Sequence, residues 1–171
     1  MQTRRHFVAA AGVLSAVAVA GAAGAGAVYS AWWDQPHDSR TRHLSPDELA
    51  FLDALSDTIF PPGAALPLSG REAGVGRFMD GVLDGLAPFQ RKMLRLSFHA
   101  LDQWPRPSHG KPFRDLNPAE GAEVLAGWVS SGRPEVRGLL AGTYIFVAMA
   151  YSVHPKVSPV FAAQFRCGYG E

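Results

Sequence analysis

Any chemistry in this chain would have to come from its six histidines, its carboxylates or its single cysteine. Histidines that bind a metal or a haem recur at short fixed spacings, such as HExxH on a helix face or CxxCH for haem attachment. Neither pattern occurs here, and a GxSxG elbow for a serine nucleophile is also absent. The spacing therefore predicts no catalytic residue, no metal site and no cofactor site in this chain.

Three weaker patterns deserve an interpretation. The stretch GVGRFMDG at residues 74–81 resembles a nucleotide fingerprint, but it lacks GxGxxG spacing, so its small residues predict close helix packing. Asp80 and Asp84 are expected on a solvated helix face, with docking of a basic partner as the second interpretation. His99 and Asp102 stand three residues apart, a spacing that favours a local pair on a helix surface over a catalytic dyad.

Helical periodicity dominates the elements that would position these residues. Ser45-Pro46-Asp47-Glu48 is a capping box, and Asn117-Pro118-Ala119-Glu120 repeats it. Apolar residues recur every three or four positions between helix-breaking Pro and Gly residues, and no strand alternation is visible. The expected helices run from the Ser45 cap to Phe60, Val75 to Leu86, Pro88 to Trp104, the Asn117 cap to Val129, Pro134 through Tyr151, and about Pro159 to Arg166.

The third and fifth of these helices carry further expectations. The third is expected to turn Met93, Leu94, Phe98, Leu101 and Trp104 inward and Arg91, Lys92 and Arg95 outward. The fifth contains GLLAGTYIFVAMAY, an uncharged run of 14 residues that is shorter than the ~20 residues of a membrane span. We expect it to be the central helix. The predicted fold class is all-α, a single bundle of five to six helices around this apolar helix.

The first eight residues, MQTRRHFV, contain a pair of arginines just ahead of an apolar run. Residues 3–8 fit the twin-arginine export signal, in which Arg4, Arg5 and Phe7 are the residues that the twin-arginine translocase would read. The run from residue 7 to residue 28 is uncharged and rich in Ala and Gly, which is typical of a signal core.

Ala25-Gly26-Ala27 offers an A-x-A cleavage site, with Ala25 and Ala27 as its small residues. The alternative is an uncleaved anchor, with Trp32 and Trp33 at the membrane interface. In both cases the folded domain is expected in the periplasm or on the outer face of the cytoplasmic membrane. We divide the chain into a signal peptide at residues 1–27, a linker at 28–43 that is expected to be mobile, and a helical domain at 44–171.

The charge balance and the cysteine content limit the kinds of partner that this chain could bind. The chain has 16 basic and 15 acidic residues and no Lys/Arg cluster, which argues against nucleic acid as a partner. Cys167 is the only cysteine, so no disulfide can form within the chain. An odd cysteine in an exported protein is either buried or paired with another chain.

Four stretches resemble the gluconate 2-dehydrogenase subunit 3 family: LSPDELAFLDALSDTIFPPG, EAGVGRFMDGVL, GWVSSGRPEVRGLLAGTYIFVAMAYSVHPKV and the closing CGYGE. Members accompany an FAD-dependent dehydrogenase of the glucose–methanol–choline type, often with a multihaem cytochrome c. The resemblance implies a non-catalytic small subunit that supports maturation, export and stability of the flavin subunit. FAD would then lie in the large subunit and haem c in a third subunit, and the substrate would be a sugar, sugar acid, polyol or alcohol.

The alternative function is a stand-alone exported helical binding domain without an enzyme partner. The export route favours the subunit, because the twin-arginine pathway carries folded proteins and this chain shows no cofactor of its own that would require it. Phe161, Phe165, Cys167 and Tyr169 are predicted to dock on the flavin subunit, with an intersubunit disulfide through the cysteine as a further hypothesis. The plainer interpretation is a tail that folds back on its own bundle.

Overall fold

A computed structural model describes residues 35–63 and 66–164 of the 171-residue chain. The compact unit that begins at His37 contains every helix reported below. No strand occurs among the described residues, and the all-α prediction is confirmed. The helices are α1 (Pro46–Ile59), α2 (Val75–Asp84), α3 (Pro88–Gln103), the short α4 (Arg106–His109), a 3₁₀ turn (Phe113–Asp115), α5 (Pro118–Val129), α6 (Pro134–Ser152) and α7 (Ser158–Gln164).

Reciprocal capping bonds fix where the helices begin. The Ser45 hydroxyl accepts from the Glu48 amide at 3.3 Å, and the Glu48 carboxylate accepts from the Ser45 amide at 2.8 Å. Asn117 and Glu120 exchange the same pair of bonds ahead of α5, at 3.0 and 2.9 Å. Both predicted capping boxes are therefore confirmed. A third exchange of this kind joins Ser69 and Glu72 in the turn that precedes α2, and it was not predicted.

Helix α1 is the most enclosed element. It packs against α2, α3, α5 and the 3₁₀ turn, and its Phe51 side chain is fully buried. The Phe51 ring lies 6.3 Å from the ring of Phe98 and 5.8 Å from that of Phe113, which in turn stacks at 5.1 Å on Trp128. These four rings connect α1, α3, the 3₁₀ turn and α5 in one continuous apolar core.

Helix α6 packs against α2, α3 and α5, but on one side only. We expected this uncharged run to be the central helix; the structure gives the most enclosed position to α1 and leaves one face of α6 exposed. Within residues 35–63 and 66–164, no helix combines the length and apolar character that a membrane crossing requires. The buried side of α6 carries Val136, Leu140, Thr143, Val147, Ala150 and Tyr151.

In the glycine-rich stretch 74–81 the predicted close packing occurs at Gly76, whereas a Cβ on Gly81 would meet nothing within 4 Å. A Cβ on Gly76 would lie 2.4 Å from Leu49 Cδ1, so this glycine lets α2 approach α1 closely. Gly70, just ahead of it, meets the backbone of α1 directly, since a Cβ there would lie 2.3 Å from the carbonyl carbon of Ser56. Gly74 caps α2 with φ of 70°, a left-handed conformation that favours glycine.

The end of the predicted linker, at residues 42–43, and the adjoining Leu44 are hydrogen-bonded to α2. The Asp80 carboxylate on α2 accepts backbone N–H bonds from Arg42 at 2.8 Å, His43 at 2.9 Å and Leu44 at 3.2 Å. Asp80 is buried, so its predicted place on a solvated face is wrong. Asp84 is exposed, as predicted, and pairs with the same segment. Asp80 is buried because it binds the backbone of residues 42–44, nearly forty positions earlier in the chain. Helical periodicity carries no information about such a remote contact.

Candidate partner interface

Helix α6 exposes large apolar side chains along one face. Ile145, Met149 and Val153 are 57%, 49% and 57% exposed, and their spacing of four residues places them on one side of the helix. Gly138 and Gly142 continue this line toward the N-terminus, and a Cβ on either would meet nothing within 4 Å. We call residues 138, 141, 142, 145, 149 and 153 the α6 face.

The α6 face carries no charge over its whole length. No residue from 138 to 152 is ionisable as an acid or a base at neutral pH, a stretch of roughly 22 Å along the helix axis. Single exposed apolar side chains are ordinary on soluble proteins, whereas a contiguous apolar surface marks a contact site. The α6 face is a contiguous apolar surface of this kind.

A rigid contact at the end of α6 fixes which side of the helix faces outward. The Tyr151 hydroxyl donates to the Leu68 carbonyl at 2.6 Å, and the Tyr151 ring stacks on Phe60 with centroids 3.8 Å apart. Burial raises the pKa of Tyr151, against the lowering effect of its hydrogen bond to Leu68. The phenol therefore stays protonated and holds α6 in this rotation at any physiological pH.

Helix α3 buries Phe98 and Leu101 as predicted, but several of its other side chains are oriented differently. Met93 and Trp104 are 40% and 42% exposed rather than inward, while Arg95 is buried rather than outward. Arg91 and Lys92 are half-buried. The reason is an acidic partner in α1: Glu48 draws the polar side of α3 toward the core.

The Glu48 carboxylate is completely buried and fully occupied by donors. Arg95 donates to it through Nε at 2.8 Å and Nη2 at 3.1 Å, and His99 Nε2 lies 2.9 Å from its Oε1. Burial alone would raise the pKa of Glu48, but the bonds from His99, Arg95 and the Ser45 amide outweigh it and hold that pKa below its usual range. The carboxylate is therefore charged in the fold.

Asp102 forms a second cluster rather than the predicted surface pair with His99. Its carboxylate accepts from the Arg114 amide at 3.1 Å, from the Arg114 guanidinium and from Gln103 at 2.7 Å. Burial nevertheless raises the pKa of Asp102. Arg114 also pairs with Asp47 at 3.0 Å, so this cluster joins α3 to the start of α1.

Both clusters are structural. The side chains of Glu48, His99 and Asp102 are at most 3% exposed, which leaves no path for a substrate. Within the described part of the chain, no group of three His, Cys, Asp or Glu residues is arranged to hold a metal ion. The clusters tie α1 to α3 and to the 3₁₀ turn.

A cavity of about 450 Å³ lies beside the stretch Asp57–Gly63, with Pro61 and Pro62 on its wall. The charged side chains around it are already paired, since Arg71 lies 3.3 Å from Asp57 and Arg114 is held by the cluster described above. The cavity offers shape and apolar surface, but no group positioned for chemistry.

The structure reaches only one of the four predicted interface residues in the tail. Phe161 is half-buried against the core, and its ring meets that of Tyr151 edge-on at 6.4 Å. The docking hypothesis for the rest of the tail stays a prediction. The other predicted residues lie outside the described part of the chain, namely Arg4, Arg5, Phe7, Ala25, Ala27, Phe165, Cys167 and Tyr169.

Comparison with known proteins identifies one family. The model of the family described as gluconate 2-dehydrogenase subunit 3 matches residues 46–149, from the first turn of α1 to Met149 on the α6 face. No curated protein and no solved structure matches the chain.

Proposed function

On that match, which spans more than half of the chain, the protein belongs to the gluconate 2-dehydrogenase subunit 3 family, and we propose that it is the non-catalytic small subunit of an FAD-dependent dehydrogenase of the glucose–methanol–choline type. The large subunit carries the FAD and the substrate site, and a multihaem cytochrome c accepts the electrons in a third subunit. The enzyme oxidises a sugar, sugar acid, polyol or alcohol. The small subunit supports maturation, co-export and stability of the flavin subunit.

The observation that carries this proposal is the α6 face. A subunit that acts by binding needs a surface that is costly to leave in water, and Ile145, Met149 and Val153 form one. Burial of such side chains stabilises a complex by about 25 cal/mol for each Å² of apolar surface removed from water. The two open glycines beside them let a partner approach the α6 backbone closely. The large subunit is the proposed occupant.

Ile145→Asp should weaken binding of the large subunit about 30-fold, because it places a charge at the centre of the apolar contact and a central hot spot is worth about 2 kcal/mol. Co-expression of the two chains with a tag on the large subunit, followed by affinity purification and titration, measures this. Val129→Asp is the matched control, since Val129 is an aliphatic residue of 63% exposure on α5. Equal loss in both variants would remove the α6 face as the docking surface.

The same binding experiment tests docking through the C-terminal tail separately from docking through the α6 face. A chain that ends at Gln164 lacks Phe165, Cys167 and Tyr169 but keeps Phe161 in its core contact. Loss of binding in this truncated chain supports docking through the tail. A larger species on a non-reducing gel, abolished by Cys167→Ser, supports the disulfide. If neither the full-length chain nor the truncated chain binds a large subunit encoded beside it, a stand-alone binding domain becomes the better proposal.

Export through the twin-arginine route makes a separate prediction. Replacement of Arg4 and Arg5 together by Lys should retain both this chain and its flavin subunit in the cytoplasm, because the translocase reads the guanidinium pair and not merely positive charge. Cell fractionation followed by immunoblotting of both subunits measures the distribution. Normal recovery of the double variant from the periplasm would show that another route exports the chain.

A further inference from the structure

Helix α3 carries a second line of apolar side chains, which faces away from the core. Phe89, Met93 and Trp104 are 70%, 40% and 42% exposed, and Leu96 and Ala100 between them are half-buried. These residues recur every three or four positions, so they form one stripe along the helix. Trp104 belongs to it because its backbone is still helical, with φ of −56° and ψ of −39°. We call these five residues the α3 stripe.

The outer side of α3 is apolar where a surface helix is usually polar. On an ordinary surface helix, charged and polar residues lie opposite the core. On α3, two charged side chains turn inward instead, since Arg95 binds Glu48 and Asp102 binds Arg114. The α3 stripe lies on the other side and runs for about 22 Å without a charged side chain. A contiguous exposed apolar surface of this kind marks a contact site.

The α3 stripe is too small for a stable protein interface of its own. Specific protein interfaces use about 20–30 residues on each side, whereas the stripe offers five side chains on a convex helix surface. A lipid bilayer requires no matching shape. An amphipathic helix binds it by burying a face of Trp, Phe and Leu about 5–10 Å deep at the boundary of the head groups. Phe89 and Trp104, at the two ends of the stripe, are residues of this kind.

The charges that α3 presents beside the stripe are basic. Lys92 is half-buried at its edge, and the exposed Arg106 follows the helix. The one acidic residue of α3 is Asp102, which is buried. Basic side chains beside an apolar helix face attract anionic lipids. Glu123 on α5 lines a groove with Trp104, so this attraction should be strongest at the other end of the stripe.

The α6 face differs from the α3 stripe in both respects. Gly138 and Gly142 leave its backbone open to the close approach of another protein chain, and no residue from 138 to 152 is charged. The stripe consists mainly of large side chains and has basic neighbours. The two surfaces therefore suit different partners.

We propose that the α3 stripe is a membrane-contact surface, which inserts into the head-group region of an anionic lipid bilayer. The contact is peripheral, since α3 lies in the plane of the interface and does not cross the bilayer. The proposal goes beyond the proposed function and does not depend on a dehydrogenase partner. Where the proposed complex forms, the stripe places it beside the lipid surface.

A fluorescent label on the stripe tests this contact in the full-length chain. Met93→Cys, in a Cys167→Ser background, is labelled with NBD, whose emission rises and shifts to shorter wavelength when the label leaves water. Met149→Cys on the α6 face is the matched control, because the two methionines are 40% and 49% exposed. On vesicles of phosphatidylglycerol and phosphatidylcholine, the label at position 93 should show this shift and the label at position 149 should not.

The label reports a local contact, so attachment of the apolar run at residues 7–28 to a vesicle does not produce the signal at position 93. No shift at position 93, or an equal shift at both positions, would overturn the proposal. If the label at position 93 is silent on vesicles but responds to the large subunit, the stripe is a protein contact and the proposal is wrong.

Substitutions beside the label separate the apolar and the basic contributions. Phe89→Ser should weaken the lipid contact at position 93 about tenfold, because an exposed phenylalanine is otherwise removed from water on insertion. Lys92→Gln should weaken it about fivefold on anionic vesicles and leave it unchanged on phosphatidylcholine alone. Val129→Ser is the control for Phe89→Ser, since Val129 is 63% exposed on α5. Equal losses in Phe89→Ser and Val129→Ser would exclude the stripe as the contact.

Discussion

Val147→Asp is expected to unfold the domain, whereas Ile145→Asp, two positions away on the same helix, is expected to leave it folded. Val147 is fully buried between α6 and its neighbours, while Ile145 is 57% exposed. A carboxylate at position 147 would be desolvated with no designed partner, which costs several kcal/mol even when the acid takes up a proton. That cost is comparable with the ~5–15 kcal/mol that stabilises a whole domain.

Circular dichroism and chemical denaturation of the purified chains measure this difference. Val147→Ala serves as the control for lost volume and should cost about 2 kcal/mol while cooperative unfolding is kept. Ile145→Asp should unfold within about 0.5 kcal/mol of the wild type, as surface substitutions usually do. A folded Val147→Asp, or an unfolded Ile145→Asp, would mean that the burial of α6 is assigned to the wrong face. The folded state of Ile145→Asp is also what allows its binding defect to be interpreted.

The parts of the fold that the sequence predicts well are those set by neighbours in the chain. A capping box depends on residues three positions apart, so Ser45 with Glu48 and Asn117 with Glu120 could be identified without any tertiary information. Apolar periodicity places the long helices for the same reason.

The burial of Arg95 and His99 on α3 could not be predicted, because their partner is remote in the sequence. Arg95 and His99 turn inward toward Glu48, which stands 47 residues before Arg95 in the chain. A pattern of charged residues on a helix indicates a solvated face unless a buried acid lies opposite. Glu48 itself was identified only as a capping residue, and nothing local shows that its carboxylate also binds α3.

The exposed face of α6 escaped prediction for a different reason. The run from Gly138 to Tyr151 is uncharged on every side, so its periodicity does not distinguish the face that packs from the face that is left open. Side-chain size does not separate the two faces either, since the large Ile145 and Met149 are exposed while the small Ala150 is buried. A surface meant for another subunit has the composition of a core, and a single chain cannot distinguish the two.

Arg95→Ala should lower the free energy of unfolding at pH 7 by about 3–5 kcal/mol, because it leaves the buried charge of Glu48 without its cation. The double variant Glu48→Gln/Arg95→Ala should recover part of this loss, since no charge then remains to be desolvated. Denaturant titrations of the three proteins at pH 7 provide the values. A single variant as stable as the wild type would show that His99 and the Ser45 amide suffice to stabilise the Glu48 carboxylate.

The same variant is expected to reduce the contribution of Glu48 to the pH dependence of stability. In the wild type the pKa of Glu48 is lower in the fold than in the unfolded chain, so the contribution is full above the unfolded pKa and is lost as the pH falls through the folded one. Without Arg95, two of the influences that lower this pKa are lost, so the pKa of Glu48 in the fold rises. Arg95 stabilises only the charged carboxylate, so the stability difference between Arg95→Ala and the wild type should narrow as the pH is lowered from 7 toward 4. Subtraction of the two pH profiles cancels the other carboxylates, including Asp102, and a constant difference across this range would contradict a charged Glu48 in the core.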